Sequence, residues 1–156
     1  MKTNEPKLLG VCGFKKSGKT TLIEKILGEL ARLGFRVGVI KRQNEPVQTE
    51  PPGTDTYRFY RAGASVLGWD GQTLFVKRRQ GEPFSVEQAL SFLGVDFDLV
   101  LVEGFKESDI DKIWLLRPNE TAPPEEITNI IGVLGWSQDR LERAMTLLRE
   151  HLQITN

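Results

Sequence analysis

Short runs of apolar residues recur along the chain, and they alternate with longer segments in which apolar residues return every three or four positions. Short runs are typical of buried strands, and the longer spacing is typical of helices that bury one face. Their alternation predicts an α/β fold with a mostly parallel sheet. The predicted strands are Lys7–Cys12, Arg36–Lys41, Ala64–Trp69, Thr73–Lys77, Phe97–Gly104, Lys112–Arg117 and Thr128–Leu134.

The helical segments carry start signals as well as periodicity. The first predicted helix is Lys19–Leu33, and Thr54 is a plausible N-cap for a short helix further along. Ser85 and Gln88 have the spacing of a capping box, which predicts a helix start there. Ser137 is predicted to cap the last helix. The core face of that last helix is predicted to be Leu141, Ala144, Met145, Leu148 and Leu152.

The connections between strands predict their pairing. One helix joins the first two strands, and a right-handed crossover of this kind predicts that they are parallel neighbours. Asp70-Gly71, between the two shortest strands, is a strong hairpin signal. We expect this antiparallel pair to join the main sheet and make it mixed. The basic run Lys77-Arg78-Arg79 predicts a solvated strand end, with contact to a phosphate as the alternative.

The segment between the first strand and the first helix is Gly13-Phe14-Lys15-Lys16-Ser17-Gly18-Lys19-Thr20, which matches the phosphate-binding pattern G-x-x-x-x-G-K-[ST]. Gly13 and Gly18 permit turns that a Cβ would block, so that successive N–H groups point into one concavity at a helix N-terminus. Lys19 is expected to neutralise the β- and γ-phosphates, and the Thr20 hydroxyl is expected to bind Mg²⁺. The pattern predicts a P-loop NTPase-like, three-layer fold with an antiparallel hairpin.

The unbroken apolar run Phe97–Gly104 predicts a buried parallel strand with an acid near each end. Asp98 and Glu103 are about 17 Å apart along a strand. Only the carboxyl end of such a strand faces the ligand-binding loops. Glu103 is therefore the candidate for orienting Mg²⁺ or its water, and Asp98 is expected at the opposite end. Gly104 permits a tight turn beside the γ-phosphate.

The polar segment 42–53 follows the second strand and contains several prolines, so it is not predicted to form regular structure. Its place after a parallel strand predicts a mobile switch near the phosphates, with an ordinary surface loop as the alternative. Asp55 follows this segment. It either complements the dipole of a short helix or serves as a carboxylate for Mg²⁺ or water, and the sequence leaves both interpretations open.

Composition excludes several functional classes. In 156 residues, 21 Lys+Arg balance 21 Asp+Glu, so no net field attracts nucleic acid or a membrane surface. Neither a bilayer-spanning run nor a signal peptide is recognised. Cys12 is the only cysteine and is expected to be a buried apolar group, while His151 is expected to be solvated or near a helix cap. These features predict a single cytoplasmic domain over residues 1–156.

Several segments occur together in a specific order: Gly13–Leu22, Val39-Ile40-Lys41, Gly53–Arg58, Ala62-Gly63-Ala64, Asp98–Lys106 and Lys112-Ile113. In this order and spacing the set resembles the molybdopterin-guanine dinucleotide biosynthesis protein B (MobB) family. The resemblance covers about Leu8 to Arg117, and it is far more specific than the phosphate loop alone.

The resemblance implies a homodimeric GTP-binding protein with Mg²⁺ dependence and weak GTPase activity. It implies two further partners, a MobA-like nucleotidyltransferase that attaches GMP to molybdopterin, and molybdopterin itself. Thr20, Asp55 and Glu103 would hold the metal, the two acids forming the catalytic pair around it. The implied nucleotide-binding residues are Gly13, Lys15, Lys16, Ser17, Gly18, Lys19, Thr20, Thr21 and Gly104.

The chain departs from the family in the segment after Lys41, where histidines are usual. Arg42 and Gln43 stand there instead and are the candidates for any anion contact. The guanine signal Asn-Lys-x-Asp is also absent, so a preference for GTP over ATP follows from the resemblance only. A base-binding loop would lie at Gly135-Trp136-Ser137. Two alternative functions remain, a small-molecule kinase with Lys77–Arg79 in a lid and a scaffold whose nucleotide only sets its shape.

Overall fold

The computed structural model describes residues 5–48, 50–79 and 81–153. These form two compact units, a larger one built from the chain up to Arg42 and from Ser85 onward, and a smaller one over Gln43–Phe84. The elements are β1 (Lys7–Cys12), α1 (Lys19–Arg32), β2 (Val37–Lys41), α2 (Asp55–Arg61), β3 (Val66–Trp69), β4 (Leu74–Lys77), α3 (Val86–Leu93), β5 (Leu99–Glu103), β6 (Lys112–Leu115), β7 (Ile130–Leu134) and α4 (Arg140–Leu152).

The larger unit contains a parallel five-stranded sheet in the order β2-β5-β1-β6-β7. The expectation that β1 and β2 are neighbours was wrong, because β5 lies between them. All of β5 is buried, whereas β2 exposes alternate side chains. A strand that is apolar on both faces belongs inside the sheet, and an alternating strand is suited to its edge.

Alternation along the strands divides the core into layers. Leu101 and Ile113 face the side covered by α1 and α4, which contribute Ile26 and Leu148. Val102 faces the other side, where α3 packs. Helices on both faces of a parallel sheet make the three-layer fold that the sequence predicted. Within the described ranges, no helix has the length and apolar character needed to cross a membrane.

The smaller unit consists of α2 and the β3–β4 hairpin. The hairpin was predicted correctly, with Leu67 opposite Val76, but it forms a separate two-stranded sheet. The expected mixed sheet was therefore wrong, because among the described residues β3 and β4 pair with each other and not with the five-stranded sheet. The basic run after the hairpin lies against aromatic rings: Lys77 and Arg79 contact Tyr60, and Arg78 contacts Phe84.

The sequence predicted the start of α3 correctly but not the N-cap of α4. The capping box is present, with the Gln88 N–H donating to the Ser85 hydroxyl. At α4, Ser137 is not the cap: Asp139 occupies that position and the Ser137 hydroxyl donates to its carboxylate. His151 lies in the last turn of α4, near the helix cap as one of its two expectations had it. It is not solvated, because its side chain is 14% exposed and its Nε2 is 2.8 Å from the Leu8 carbonyl.

Candidate functional site

The loop between β1 and α1 has the backbone shape that its sequence predicted. Gly18 adopts a left-handed conformation with φ 86°, and Lys16 does so as well with φ 65°. The Ser17 N–H donates to the Phe14 carbonyl at 3.2 Å, which closes a tight turn inside the loop. Left-handed residues at these points direct successive N–H groups to one side of the chain, as an anion-binding concavity requires.

The amino end of α1 is open to an anion. Gly18 is its N-cap, no side chain caps the helix there, and the first turn carries no acidic residue. The helix is held from behind by Leu22 and Ile23, which are buried in the core. Uncapped N–H groups and the helix dipole favour negative charge at this position.

Lys19 lies over the same loop. Its Nζ donates to the carbonyls of Gly13 and Phe14, both at 3.0 Å. Burial lowers the pKa of Lys19, and the charge of Glu103 partly opposes that shift. The ammonium group is therefore held beside the concavity by backbone carbonyls, which a phosphate group can replace as acceptors.

Phe14 anchors the loop to the sheet. Its ring meets the buried Trp114 ring edge-on, with the centroids 5.5 Å apart. The guanidinium of Arg117 lies 4.8 Å from the Phe14 centroid, and the Lys106 ammonium lies 5.5 Å from it. These contacts fix the loop at one side and add positive charge around it.

Glu103 occupies the carboxyl end of β5, in register with Val11 of β1 and Lys41 of β2. Its side chain is only 12% exposed, and the Lys41 Nζ lies 3.1 and 3.2 Å from its two oxygens. Asp98 lies at the opposite end of the strand, as predicted, and accepts from the Arg36 N–H. That backbone bond is the main reason why the pKa of Asp98 is lowered.

The residues fit a magnesium ion that receives most of its ligands from elsewhere. Within the described residues, no cluster of three or more His, Cys, Asp or Glu side chains is arranged for a metal. Thr20 and Glu103 supply a hydroxyl and a carboxylate, the oxygen donors that Mg²⁺ prefers, and Mg²⁺ commonly takes its remaining ligands from phosphates and water. In the structure the half-exposed Lys41 side chain pairs with this carboxylate, so a metal at Glu103 would have to displace the Lys41 ammonium.

The other predicted site residues fall into two groups. Lys15, Lys16, Thr20 and Thr21 are exposed on the loop and first turn. Asp55 belongs to the smaller unit, where it lies in the first turn of α2 with its side chain 83% exposed, 3.9 Å from Arg58. Its pairing with Glu103 around a metal stays a prediction.

Gly104 and Arg42 meet at the ends of β5 and β2. Gly104 has φ 89°, and a Cβ on it would come within 3.2 Å of the Arg42 Cβ. The Arg42 N–H donates to the Glu103 carbonyl, and its guanidinium lies 3.9 Å from Glu107. The backbone of Arg42, one of the two residues that the sequence offered for an anion contact, therefore lies beside Glu103.

Arg140 is the main site residue that sequence reasoning missed. Its guanidinium donates to four backbone carbonyls, at 2.6 to 3.2 Å. Burial lowers the pKa of this guanidinium. This one side chain joins the phosphate loop to the ends of two strands. The four carbonyls belong to Ser17, Leu116, Leu134 and Gly135.

Two small polar side chains are buried under the loop. The Ser17 hydroxyl is fully buried and has no hydrogen-bond partner among the described residues. Cys12 is 1% exposed, with its Sγ 3.5 Å from the Gly104 carbonyl. Burial raises the pKa of the Cys12 thiol to about 11, so it is a packed apolar group, as predicted, and not a reactive thiolate.

Known sequences resemble this chain over most of its length. Residues 8–136 match the family model for molybdopterin guanine dinucleotide synthesis protein B (MobB). The molybdopterin-guanine dinucleotide biosynthesis adapter protein of Haemophilus influenzae is 38% identical over 147 residues, which are 93% of this chain and 82% of the relative. The adapter protein of the same name from Escherichia coli is 34% identical over 136 residues, 85% of this chain and 78% of the relative.

Solved structures have the same fold. The crystal structure of a molybdopterin-guanine biosynthesis protein B matches with a TM-score of 0.65 at 27% identity, covering 94% of this chain and 99% of the other. A MobB homolog from Bacillus stearothermophilus matches with a TM-score of 0.66 at 25% identity, with the same coverage. Sequence and fold together confirm the resemblance, and the chain belongs to the MobB family.

Proposed function

We propose that this protein binds GTP with Mg²⁺ and acts as an accessory protein in molybdopterin guanine dinucleotide biosynthesis. The nucleotide part of the proposal is carried by the amino end of α1, which has no side-chain cap and no acidic residue in its first turn. The loop before it contains residues in the left-handed conformation, and the Lys19 ammonium lies over that loop. That combination favours a polyphosphate over other ligands. The choice of GTP follows the family to which the chain belongs.

Different residues of the proposed site bind the phosphates and the metal. The loop N–H groups and Lys19 hold the phosphates, and the Thr20 hydroxyl with Glu103 holds the metal. Hydrolysis is expected to be slow. Arg140, the arginine bonded to the loop, donates to carbonyls and is not free to act on a γ-phosphate. An arginine finger can contribute about 10³–10⁵-fold to hydrolysis, and Arg140 does not supply that contribution.

The accessory role rests on the relatives, which are named as adapter proteins of molybdopterin-guanine dinucleotide biosynthesis. An adapter needs a second protein, and the proposed partner is the MobA-like nucleotidyltransferase that joins GMP to molybdopterin. Molybdopterin is the further proposed ligand. Slow hydrolysis is compatible with such a role, because a nucleotide that stays bound can keep the protein in the conformation that binds the partner.

Replacement of Lys19 by alanine is expected to weaken GTP binding by about 100-fold or more, because a partly buried charge that contacts the phosphates is lost. Isothermal calorimetry with GTP and Mg²⁺ measures the effect. Lys7→Ala, at the opposite exposed end of β1, is the matched control and should bind as the wild type does. Full affinity in Lys19→Ala would overturn the proposed nucleotide site.

We also expect a homodimer. In the smaller unit, Leu67 and Leu74 of the hairpin are about half exposed, at 49% and 50%, and Trp69 is 73% exposed. Apolar side chains grouped on a short hairpin are typical of a surface covered by another chain. Analytical ultracentrifugation should give twice the monomer mass, and Leu67→Glu should shift the protein toward monomer. A monomer at micromolar concentration would contradict this expectation.

A further inference from the structure

Two cations from separate segments of the larger unit lie against the Phe14 ring of the phosphate loop. Arg117 follows β6, and its guanidinium lies 4.8 Å from the ring centroid. Lys106 follows β5, and its ammonium lies 5.5 Å from the same centroid. These segments converge because the carboxyl ends of parallel strands meet at one edge of a sheet. We call Phe14, Lys106 and Arg117 the Phe14 clamp.

The clamp lies on the opposite face of the sheet from α1. Phe14 packs on the buried Trp114 in a cluster with Cys12. Side chains alternate between the two faces of a strand, and the neighbours of Trp114 in β6, Ile113 and Leu115, belong to the core beneath α1. A ligand on the clamp would therefore approach the phosphate loop from the face opposite α1.

A tight turn orients the Arg117 guanidinium. The Glu120 N–H donates to the Arg117 carbonyl at 3.0 Å, and Pro118 occupies the second position of this turn, where its fixed φ is favoured. The Glu120 carboxylate accepts the Arg117 backbone N–H at 2.7 Å and lies 3.2 Å from the Arg117 Nε. Because the Glu120 side chain is only 12% exposed, it holds the guanidinium from the protein side.

The outer part of this guanidinium is available to a ligand. The two terminal nitrogens of Arg117 make no hydrogen bond within the described part of the chain, and the side chain is 45% exposed. Lys106 forms no ion pair with any carboxylate of the described residues. Donors that are already oriented bind an anion at a lower cost in conformational entropy.

The charges around the clamp favour an anion with more than one negative charge. Lys15 and Lys16 are exposed on the same loop and add to the positive charge. The acids next to the clamp residues in sequence, Glu107 and Glu120, already face arginines, Glu107 at 3.9 Å and Glu120 at 3.2 Å. A phosphate monoester carries a charge of about −1.5 to −2 at pH 7 and matches the guanidinium fork, whereas a carboxylate carries a single charge.

We propose that the Phe14 clamp binds the phosphate monoester group of a second small molecule, separate from the nucleotide. Arg117 holds the phosphate through its terminal nitrogens, and Lys106, on a flexible stem, supplies a second positive charge. The clamp and the proposed nucleotide site share the phosphate loop but use different side chains. Either site can therefore exist without the other.

Phenyl phosphate is a suitable probe, with benzoate as a carboxylate of similar shape and phenol as the uncharged analogue. Nuclear magnetic resonance of ¹⁵N-labelled protein follows three groups at the clamp, the Trp114 indole N–H and the backbone amides of Arg117 and Glu120. Phenyl phosphate at millimolar concentrations should shift these signals in a saturable way. Benzoate should bind more weakly, and phenol should not bind.

Variants locate the binding groups. Arg117→Met should weaken phenyl phosphate binding by about 10-fold or more, and Arg117→Lys should restore part of the affinity. Lys106→Met, which lies outside the turn, should weaken it by about 2- to 5-fold. Both methionine variants should bind GTP as the wild type does, whereas Lys19→Ala should lose GTP and keep phenyl phosphate. Arg32→Met, at a 78% exposed side chain in the last turn of α1, is the control and should bind both.

Three results would overturn this proposal. The first is the absence of saturable shifts with phenyl phosphate. The second is benzoate binding as tight as that of phenyl phosphate, which would indicate a site for carboxylates, such as an acidic segment of a partner protein. The third is an equal loss of GTP and phenyl phosphate in Arg117→Met, or in Lys106→Met if the first variant does not fold, since the clamp would then serve the nucleotide. A wild type that binds phenyl phosphate through Arg117 but does not bind GTP would refute only the proposed nucleotide site.

Discussion

Replacement of Arg140 by methionine is expected to lower the free energy of unfolding by about 3–5 kcal/mol. The guanidinium donates to carbonyls of Ser17, Leu116, Leu134 and Gly135, which belong to separate segments of the larger unit. A hydrogen bond from a charged group contributes about 1.5–3 kcal/mol, and bonds that share one donor group do not add fully. Methionine retains an apolar stem of similar length but donates nothing.

Urea unfolding followed by circular dichroism measures this change. Arg140→Lys keeps the charge but not the planar fork, so it should recover only part of the lost stability. Arg143→Met is the matched control: this side chain is exposed and makes one long bond, 3.4 Å, to the Val133 carbonyl. It should change the free energy of unfolding by about 0.5 kcal/mol or less. Equal unfolding curves for Arg140→Met and the wild type would contradict the role given to Arg140.

Replacement of Gly13 by alanine is expected to destabilise the protein by about 3 kcal/mol or more and to remove nucleotide binding. A Cβ at Gly13 would lie 2.5 Å from the Ser17 hydroxyl oxygen and 2.6 Å from the Leu115 carbonyl oxygen. The carbonyl belongs to the backbone of a buried strand and cannot move away cheaply. The loop would have to shift, which would turn its N–H groups away from the proposed phosphate site.

A second glycine gives the control for this prediction. Gly28 lies inside α1, and a Cβ there would meet no atom of the described residues within 4 Å. Gly28→Ala should therefore stabilise the protein by up to about 1 kcal/mol through helix propensity and leave GTP binding intact. Urea unfolding and calorimetry on both variants test the pair. A Gly13→Ala variant as stable as the wild type would show that the loop has room that its geometry does not indicate.

Much of the fold could be predicted because local signals and tertiary structure agree. β1 has the bounds that its apolar run predicted, and α3 begins at the predicted capping box with Ser85. Glu103 lies at the loop-facing end of β5 and Asp98 at the other, because the direction of a strand fixes which of its ends faces the ligand loops.

The order of the strands could not be obtained from the connection between β1 and β2. A crossover helix fixes direction and hand, but it allows another strand to lie between the two it joins. The buried run of β5 took that central place. The hairpin shows a second limit of the sequence. Its turn was evident from Asp70-Gly71, but a turn does not determine which sheet the two strands join.

Hydrogen bonds from side chains to backbone carbonyls also could not be predicted from the sequence, because every residue has a carbonyl that can accept one. Arg140 looked like an ordinary residue at a helix start. Lys112 looked like a strand end, yet it is fully buried, and its Nζ donates to the carbonyls of Ser108 and Thr128 at 2.8 Å. Both were found only when the fold brought distant carbonyls to one point. The pairing of Asp55 with Glu103 remains a prediction from the sequence.

The burial of Cys12 has a practical consequence for spectroscopy. Maleimide and iodoacetamide reagents attack thiolates at the surface, and this thiol is both covered and protonated at neutral pH. A cysteine introduced at an exposed position, such as Leu33→Cys at the end of α1, would then be the residue that reacts with a fluorescent or spin label. Distances from such a label to a fluorescent nucleotide become measurable in a chain that keeps its native cysteine.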